Sequence, residues 1–180
     1  MLGYVYGHDQ VVAQFAATLI PHCRRGFGAC KAIGVVEDGI LIAGFVYHNW
    51  DPEAEIIEIS GAALPGRRWC TPMTLAHIYR YPFLQLDCQM IVQRVPADNI
   101  GLLSQLNRLN YAFIRFPRLF GSDRDGVLGL PEVEAVVAVV VRTCAADDIP
   151  RAQAAELYGE AVGIFTTSAE VEISVRVAIE

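Results

Sequence analysis

The sequence lacks the features of a membrane-spanning, secreted or metal-binding chain. No run reaches the roughly 18 consecutive apolar residues that a membrane-spanning helix needs, and the first residues do not pair a basic segment with an apolar one, as a secretory signal does. The five cysteines are scattered and never spaced as C-x-x-C, which disfavours a disulfide framework and a tetrahedral metal site. We therefore expect a cytoplasmic protein without a membrane segment or a bound metal.

Charge is also scarce, and it is unevenly distributed. Charged residues make up 19% of the chain and hydrophobic residues 53%, which is enough for a substantial core. Residues 1–131 contain eleven Lys or Arg and eleven Asp or Glu, whereas residues 132–180 contain three and nine, so the last segment carries the whole net charge of −6. A net acidic chain makes nucleic acid an unlikely partner in electrostatic terms. The shift predicts a domain over 1–131 and an acidic extension over 132–180.

Local patterns predict alternating strands and helices. Asp38-Gly39 between two apolar runs predicts a β-hairpin, Asp9 is expected to cap the first helix, and Thr71 before Pro72 predicts the start of another. That helix is expected to stop before Pro82. The predicted strands span 2–6, 32–36, 40–47, 55–60, 89–95, 111–116 and 126–130, and the predicted helices 9–19, 71–81 and 99–109.

This order predicts an α/β (α+β) fold. A meander of antiparallel strands followed by a β-α-β unit implies a mixed, mostly antiparallel sheet flanked by helices. In the acidic extension, an apolar run over 135–141, a helical pattern over 150–162 and an alternating pattern over 171–179 predict a strand–helix–strand unit. The sequence leaves open whether this unit completes the sheet or pairs with a second copy in a homodimer.

One segment resembles the GNAT (N-acetyltransferase) superfamily. A strand ends shortly before Asn99, a helix follows, and Asn110-Tyr111 opens the next strand where the family usually has a Gly–aromatic pair. Asn tolerates the left-handed backbone that Gly adopts at such a position. The resemblance covers roughly residues 30 to 130 and looks closest to a divergent group carried by bacteriophages and prophages, which share segments like 46–50 and 81–83.

The resemblance implies a GNAT-like fold with acetyl-CoA as co-substrate and an amine as acceptor. It places the pyrophosphate of the cofactor beside the helix that begins at Thr71, where arginines can bind phosphate and the helix dipole favours an anion. It places the thioester carbonyl beside backbone N–H groups of residues 59–61. The cofactor-binding residues implied in this way are Ile59, Ser60, Gly61, Arg67, Arg68, Trp69, Thr71 and Asn99.

Several of these residues have ordinary structural alternatives. Arg67 and Arg68 could form a solvated turn, Trp69 could be a packing anchor, and Asn99 could simply cap its helix. The candidates for proton handling are Glu58, His48 and Tyr47.

The three candidates for proton handling follow from their positions on the predicted strands. Glu58 lies on the strand where many members of the superfamily keep a base. Tyr47 and His48 lie at a strand end beside the expected acceptor cleft, and histidine titrates near neutral pH. A solvent-facing acid and a hydrogen-bonded structural histidine are the alternatives for Glu58 and His48.

Two departures from the superfamily pattern bear on activity. The loop after Arg67-Arg68 lacks the later glycines of the usual phosphate-binding loop, and Leu106 stands where a general-acid tyrosine is common. The leading hypothesis is an N-acyltransferase that moves acetyl from acetyl-CoA to an amine. The alternatives are a catalytically inactive GNAT-fold interaction protein of a phage or prophage and a GNAT-like phage enzyme that modifies DNA.

Overall fold

A computed structural model describes residues 1–131, which form one sheet with helices on both faces. The predicted strand–helix–strand unit and its pairing with the sheet or with a second copy lie outside the described residues. In chain order the elements are β1 (Leu2–Val5), α1 (Asp9–Leu19), β2 (Cys30–Glu37), β3 (Ile40–Asp51), β4 (Ile56–Ala63), α2 (Pro72–Arg80), a π-helical turn (Tyr81–Gln85), β5 (Met90–Pro96), α3 (Ile100–Arg108), β6 (Tyr111–Phe116) and β7 (Gly126–Pro131).

The seven strands lie in the order β1-β2-β3-β4-β5-β7-β6. Every neighbouring pair is antiparallel except β4 and β5, which run parallel because α2 connects them across one face of the sheet. The mixed, mostly antiparallel sheet flanked by helices is thereby confirmed, and so is the predicted hairpin. Asp38 and Gly39 have φ values of 52° and 79°, as the two central positions of a type I′ turn require.

The start of α1 differs from the prediction by one residue. His8 occupies the N-cap position without a side-chain cap, and Asp9 is the first helical residue. The Asp9 carboxylate instead accepts a hydrogen bond from the Ala32 N–H at 2.9 Å and pairs with Lys31 Nζ at 3.1 Å. The predicted cap at Asp9 was wrong because this carboxylate joins the helix to β2.

The start and the end of α2 are as predicted. Thr71 Oγ1 accepts a hydrogen bond from the Thr74 N–H at 3.1 Å, and Pro72 is the first helical residue. The α-helix ends at Arg80, before Pro82, but a π-helical turn that was not predicted follows directly and is closed by the Leu86 N–H donating to the Tyr81 carbonyl at 3.2 Å. Proline lacks an N–H, and the wider turn carries the chain past the missing bond.

Two hydrophobic clusters lie on opposite faces of the sheet. One packs β3 and β4 against α2 and α3 and includes Tyr47, Ile59, Leu75 and Leu106. The other packs α1 against β2 and β3 and includes Val46, which neighbours Tyr47 in the strand and therefore points to the opposite face. We name these faces the α2 face and the α1 face.

The sheet contains a gap where β4 and β5 separate. These strands pair over only three residue couples, Ile56–Glu58 with Met90–Val92. Beyond that point β5 pairs with β7 through Gln93–Pro96, while residues 59–63 of β4 keep β3 as their only strand neighbour within the described chain. The sheet therefore opens between two strands that are joined at their beginning.

Candidate functional site

A cavity of about 690 Å³ fills the gap between β4 and β5. This volume lies within the range of small-molecule and cofactor sites. Its wall draws on both faces of the sheet, because α2 and α3 contribute from one side and the loop after α1 from the other. Residues that line it include Ile20 and His22 after α1, Ser60, Gly61 and Ala62 of β4, Tyr79 of α2, Gln93 and Arg94 of β5, and Leu102 and Leu106 of α3.

The β4 wall presents backbone as well as side chains. Alternate N–H and C=O groups of residues 59–63 point away from β3, toward the gap. No strand within residues 1–131 pairs with that edge. Such an edge binds an extended ligand that carries amide groups, since the ligand adds hydrogen bonds as a further strand would.

An aromatic pair forms the wall on the α2 face. The rings of Phe45 and Trp69 lie with their centroids 5.0 Å apart, and Trp69 lines the cavity. A Cβ added at Gly61 would lie 2.6 Å from Phe45 Cδ1, so the close approach of this ring requires glycine in β4. Trp69 therefore combines a packing contact with a surface that a ligand would touch.

A polar cluster lies on the α1 face and reaches the cavity. His48 is 5% exposed, and its Nε2 is 3.0 Å from Ser60 Oγ and 4.0 Å from Glu58 Oε1. The Glu58 carboxylate accepts hydrogen bonds from Arg94 Nε and Asn49 Nδ2, the latter at 2.9 Å. Because Ser60 and Arg94 line the cavity, they link the buried imidazole to it. Two of the predicted proton-handling residues, Glu58 and His48, are thus brought together.

The protonation of His48 is governed by its surroundings. Burial lowers the pKa of His48 below 6.5, while the Glu58 carboxylate opposes that shift and Arg94 adds to it. The imidazole is consequently neutral at pH 7 and has a lone pair available to accept a proton. Its Nε2 is directed at the serine hydroxyl that faces the cavity.

Tyr47, the third predicted proton-handling residue, lies on the opposite face of the sheet. It is 2% exposed, and its hydroxyl donates to the Ile78 carbonyl at 2.6 Å. Ile78 lies four residues before Pro82, whose missing N–H would otherwise have bonded that carbonyl in a continuous helix. Burial raises the pKa of Tyr47 well above its usual value. The structure therefore gives Tyr47 a structural partner and separates it from His48 and Glu58.

The predicted cofactor residues divide into two groups. Five line the cavity, namely Ile59, Ser60, Gly61, Trp69 and Asn99. Asn99 also caps α3, its Oδ1 accepting from the Leu102 N–H at 3.2 Å. The helix-capping role of Asn99 is therefore shown, and its contact with a cofactor stays a prediction.

The other three predicted cofactor residues stand outside the cavity wall. Arg67 Nη1 pairs with Glu37 Oε2 at 2.9 Å, and Arg68 is exposed to solvent. Thr71 is engaged as the N-cap of α2. These residues border the α2 end of the gap, next to Trp69, and do not form its floor.

Two tyrosines that sequence reasoning missed line the cavity. The hydroxyls of Tyr79 and Tyr111 are 2.5 Å apart, and both side chains are buried beside Leu106. Burial raises the pKa of both phenols, so they remain protonated near neutral pH. From the sequence Tyr79 was simply a helix position and Tyr111 only the aromatic residue that opens a strand, and the spacing between them gave no indication of their contact.

The mouth of the cavity on the α1 face was missed as well. The His22 ring lies 4.4 Å from the Phe120 ring, so the loop after α1 touches the loop between β6 and β7. Arg124 lines the cavity and pairs with Asp98 at 2.9 Å. Burial lowers the pKa of His22, and Arg124 and Arg94 lower it further. These residues are far apart in the sequence, which shows no pattern that would join them.

Residues 1–131 offer no group of three or more histidine, cysteine or acidic side chains placed to hold a metal ion. None of the helices in that part of the chain is long and apolar enough to cross a membrane.

Comparisons with known structures agree with this architecture. A "putative acetyltransferase" superposes with a TM-score of 0.62 at 14% identity, over 80% of this chain and 89% of the other. Spermidine/spermine N-acetyltransferase SpeG from Vibrio cholerae gives 0.61 at 11% identity, over 76% and 98%. A "Probable acetyltransferase" gives 0.51 at 15% identity over 59% of this chain, which spans only 62% of that structure's length. No protein-family model and no curated protein matches the sequence.

These likenesses define the fold. The described part of the chain has the GNAT acetyltransferase fold, with the opened sheet between β4 and β5 as its central cleft.

Proposed function

We propose that this protein is an N-acyltransferase that moves an acetyl group from acetyl-CoA to an amine. The observation that carries the proposal is the cavity between β4 and β5, whose wall is built from residues on both faces of the sheet. Two substrates bound against opposite faces would meet in this cavity. The acetyltransferases with a similar fold, among them one named for spermidine and spermine, support the reaction class.

The open edge of β4 suits the thioester substrate. The amide-containing arm of acetyl-CoA would lie along residues 59–63 and bond the unpaired backbone groups. Trp69 and Leu102 supply apolar surface on the α2 face, so the phosphates would leave the cavity near Arg68 and the start of α2. A backbone N–H of residues 59–61 would polarise the thioester carbonyl, as hydrogen-bond donors do in acyl transfer.

The polar cluster on the α1 face could accept the proton that the amine must lose. The Ser60 hydroxyl would pass that proton to His48, which is neutral and within hydrogen-bond distance. Glu58, 4.0 Å from the same nitrogen, would stabilise the resulting imidazolium. Arg94 keeps the carboxylate in position through its own ion pair.

The thiolate that leaves also needs a proton. Leu106 lines the cavity and cannot donate one, but the phenols of Tyr79 and Tyr111 reach the same wall. Since burial keeps both hydroxyls protonated, either could donate a hydrogen bond to the leaving sulfur, while their raised pKa values favour delivery of the proton itself from solvent. The two phenols weaken one of the two arguments for an inactive GNAT-fold protein, the leucine at position 106. The other argument, the altered loop after Arg67-Arg68, is unaffected.

The test is turnover with a range of amines. We expect the full chain to release free thiol from acetyl-CoA only when an accepted amine is present, and mass spectrometry to show that amine acetylated. Ser60→Ala should lower kcat by about 10²-fold, the usual contribution of a proton-transfer group. A chain that is folded yet consumes no acetyl-CoA with any amine would favour the interaction-protein alternative.

Three narrower points stay predictions. The bacteriophage and prophage group, the cytoplasmic location and the homodimer through residues 132–180 come from the sequence. DNA modification ranks below amine acetylation because the net charge of the chain is −6. DNA binding that weakens with salt would restore that alternative.

A further inference from the structure

We propose that the amine acceptor carries an acidic group, a carboxylate or a phosphate, and that Arg124 and Arg94 bind this group at the α1-face mouth of the cavity. The inference rests on the proposed acetyl transfer and names the substrate class of the same site. It concerns the end of the cavity opposite to Trp69 and α2, where the loop after α1 meets the loop between β6 and β7.

The two guanidinium groups retain unused donors. Arg94 gives its Nε–H to Glu58, and Arg124 gives one N–H of Nη2 to Asp98. A guanidinium has five N–H groups, and the contacts within residues 1–131 use one on each arginine. Both side chains line the cavity and are about two-fifths exposed, so the remaining donors are accessible from it. Paired N–H groups in this geometry are suited to carboxylate and phosphate oxygens.

The arginines are held in place before a ligand arrives. Arg94 is fixed by the buried Glu58 carboxylate, which Asn49 also holds. The Arg124 side chain is fixed by Asp98, and the Arg124 backbone carbonyl accepts a hydrogen bond from the Phe120 N–H at 3.1 Å. A preorganised donor pair loses little conformational entropy on binding, which favours affinity for a small anion.

His22, Arg94 and Arg124 lie together in the cavity wall. Burial lowers the pKa of His22, and both arginines are near enough to lower it further. The Phe120 ring packs against His22, with centroids 4.4 Å apart, and adds an apolar surface beside the arginines.

The same charges disfavour a polycationic acceptor. Asp98 is the only acidic residue in the described cavity wall, and Arg124 already occupies it. The nearby Glu58 is paired with Arg94 and is only 12% exposed. A second ammonium group would therefore find no free carboxylate in the described cavity wall and would face two guanidinium groups.

The experiment is calorimetric titration of small amines into the full chain in the presence of free CoA, which cannot transfer an acetyl group, after a separate titration shows whether acetyl-CoA binds. The probes are O-phosphorylethanolamine, β-alanine, propylamine and spermidine, and the first two distinguish a phosphate from a carboxylate. We expect at least one of these two to bind at least about tenfold more tightly than propylamine, as charge-assisted hydrogen bonds allow. Arg124→Gln should remove that advantage, and higher ionic strength should reduce it.

Arg115→Gln is the matched control, because Arg115 also pairs with an aspartate, Asp125, but does not line the cavity. It should bind the probes as the unaltered chain does. Spermidine or propylamine binding as tightly as the acidic amines, or no binding of either acidic amine, would overturn the inference. Acetylation of spermidine would leave the proposed acetyl transfer intact while refuting this acceptor class. Binding of an acidic amine through Arg124 without any binding of acetyl-CoA would do the reverse.

Discussion

His48 shows how a single residue acquires a chemical role from its neighbours. Its ring is buried against Phe27, whose centroid lies 5.1 Å away, and its Nε2 meets Ser60 and Glu58. Burial is the largest influence and lowers the pKa, so the neutral imidazole is the native form near pH 7. The charged groups around it are Glu58, which opposes this shift, and Arg94, which adds to it.

A pH dependence of stability follows from the sign of that shift. Because the folded-state pKa lies below 6.5, the unfolded chain binds the proton more tightly. The stability from a neutral His48 is therefore complete above pH 6.5 and is lost as the pH falls through that value toward the folded pKa. His22 and His77 have lowered pKa values too and act in the same direction.

We accordingly expect His48→Gln to flatten the decline of the free energy of unfolding on acidification below pH 6.5. Urea denaturation across this range measures it, and His8→Gln, which removes an exposed histidine, is the control. An NMR titration should place the His48 imidazole pKa below 6.5. A decline as steep in His48→Gln as in the unaltered chain, or an imidazole pKa above that value, would contradict the assignment.

At the level of elements, the junction between α2 and the π-helical turn connects two distant parts of the chain. Pro82 removes the N–H that would bond the Ile78 carbonyl, and the Tyr47 hydroxyl of β3 donates to that carbonyl instead. The helix can thus continue past proline without a buried unsatisfied acceptor. This role explains why Tyr47 is fully buried and directed away from His48.

Tyr47→Phe should therefore lower stability and leave catalysis unaffected. Leaving the buried carbonyl without its donor costs about 1–3 kcal/mol in the free energy of unfolding. Urea denaturation measures the loss, and kcat for an accepted amine measures catalysis at a temperature where the variant is folded. Tyr81→Phe is a comparison, since the Tyr81 ring packs on Tyr47 with centroids 4.9 Å apart but is partly exposed. A large loss of kcat with unchanged stability would return Tyr47 to the catalytic group.

Elements with local determinants were predictable from the sequence. The hairpin at Asp38-Gly39 and the N-cap at Thr71 depend on residues a few positions apart, and the structure has both. The π-helical turn that follows α2 was not predictable because the chain there depends on Tyr47, and the role of Asp9 depends on Lys31 and β2. The spacing of residues along the chain does not predict contacts between residues that are far apart in the sequence.

Across the whole molecule, the separation of β4 and β5 creates the site. The sequence predicted the order of the elements along the chain but contained no feature that marks where two parallel strands stop pairing. The cavity wall does include the predicted cofactor-binding residues of β4, Ile59, Ser60 and Gly61, together with Trp69 and Asn99. Arg67 instead forms an ion pair with Glu37. The tyrosine pair and the arginines at the mouth come together only through the folded sheet.

The most direct test of the central claim is whether acetyl-CoA binds in that cavity. Ala62 lines it on β4, and Ala112 is an exposed strand residue outside its wall. We expect calorimetry to show acetyl-CoA binding to the unaltered chain and to Ala112→Trp, and a loss of at least about tenfold in Ala62→Trp, because the bulky side chain removes space and apolar contact. Equal binding by Ala62→Trp, or no binding by the folded unaltered chain, would contradict the account.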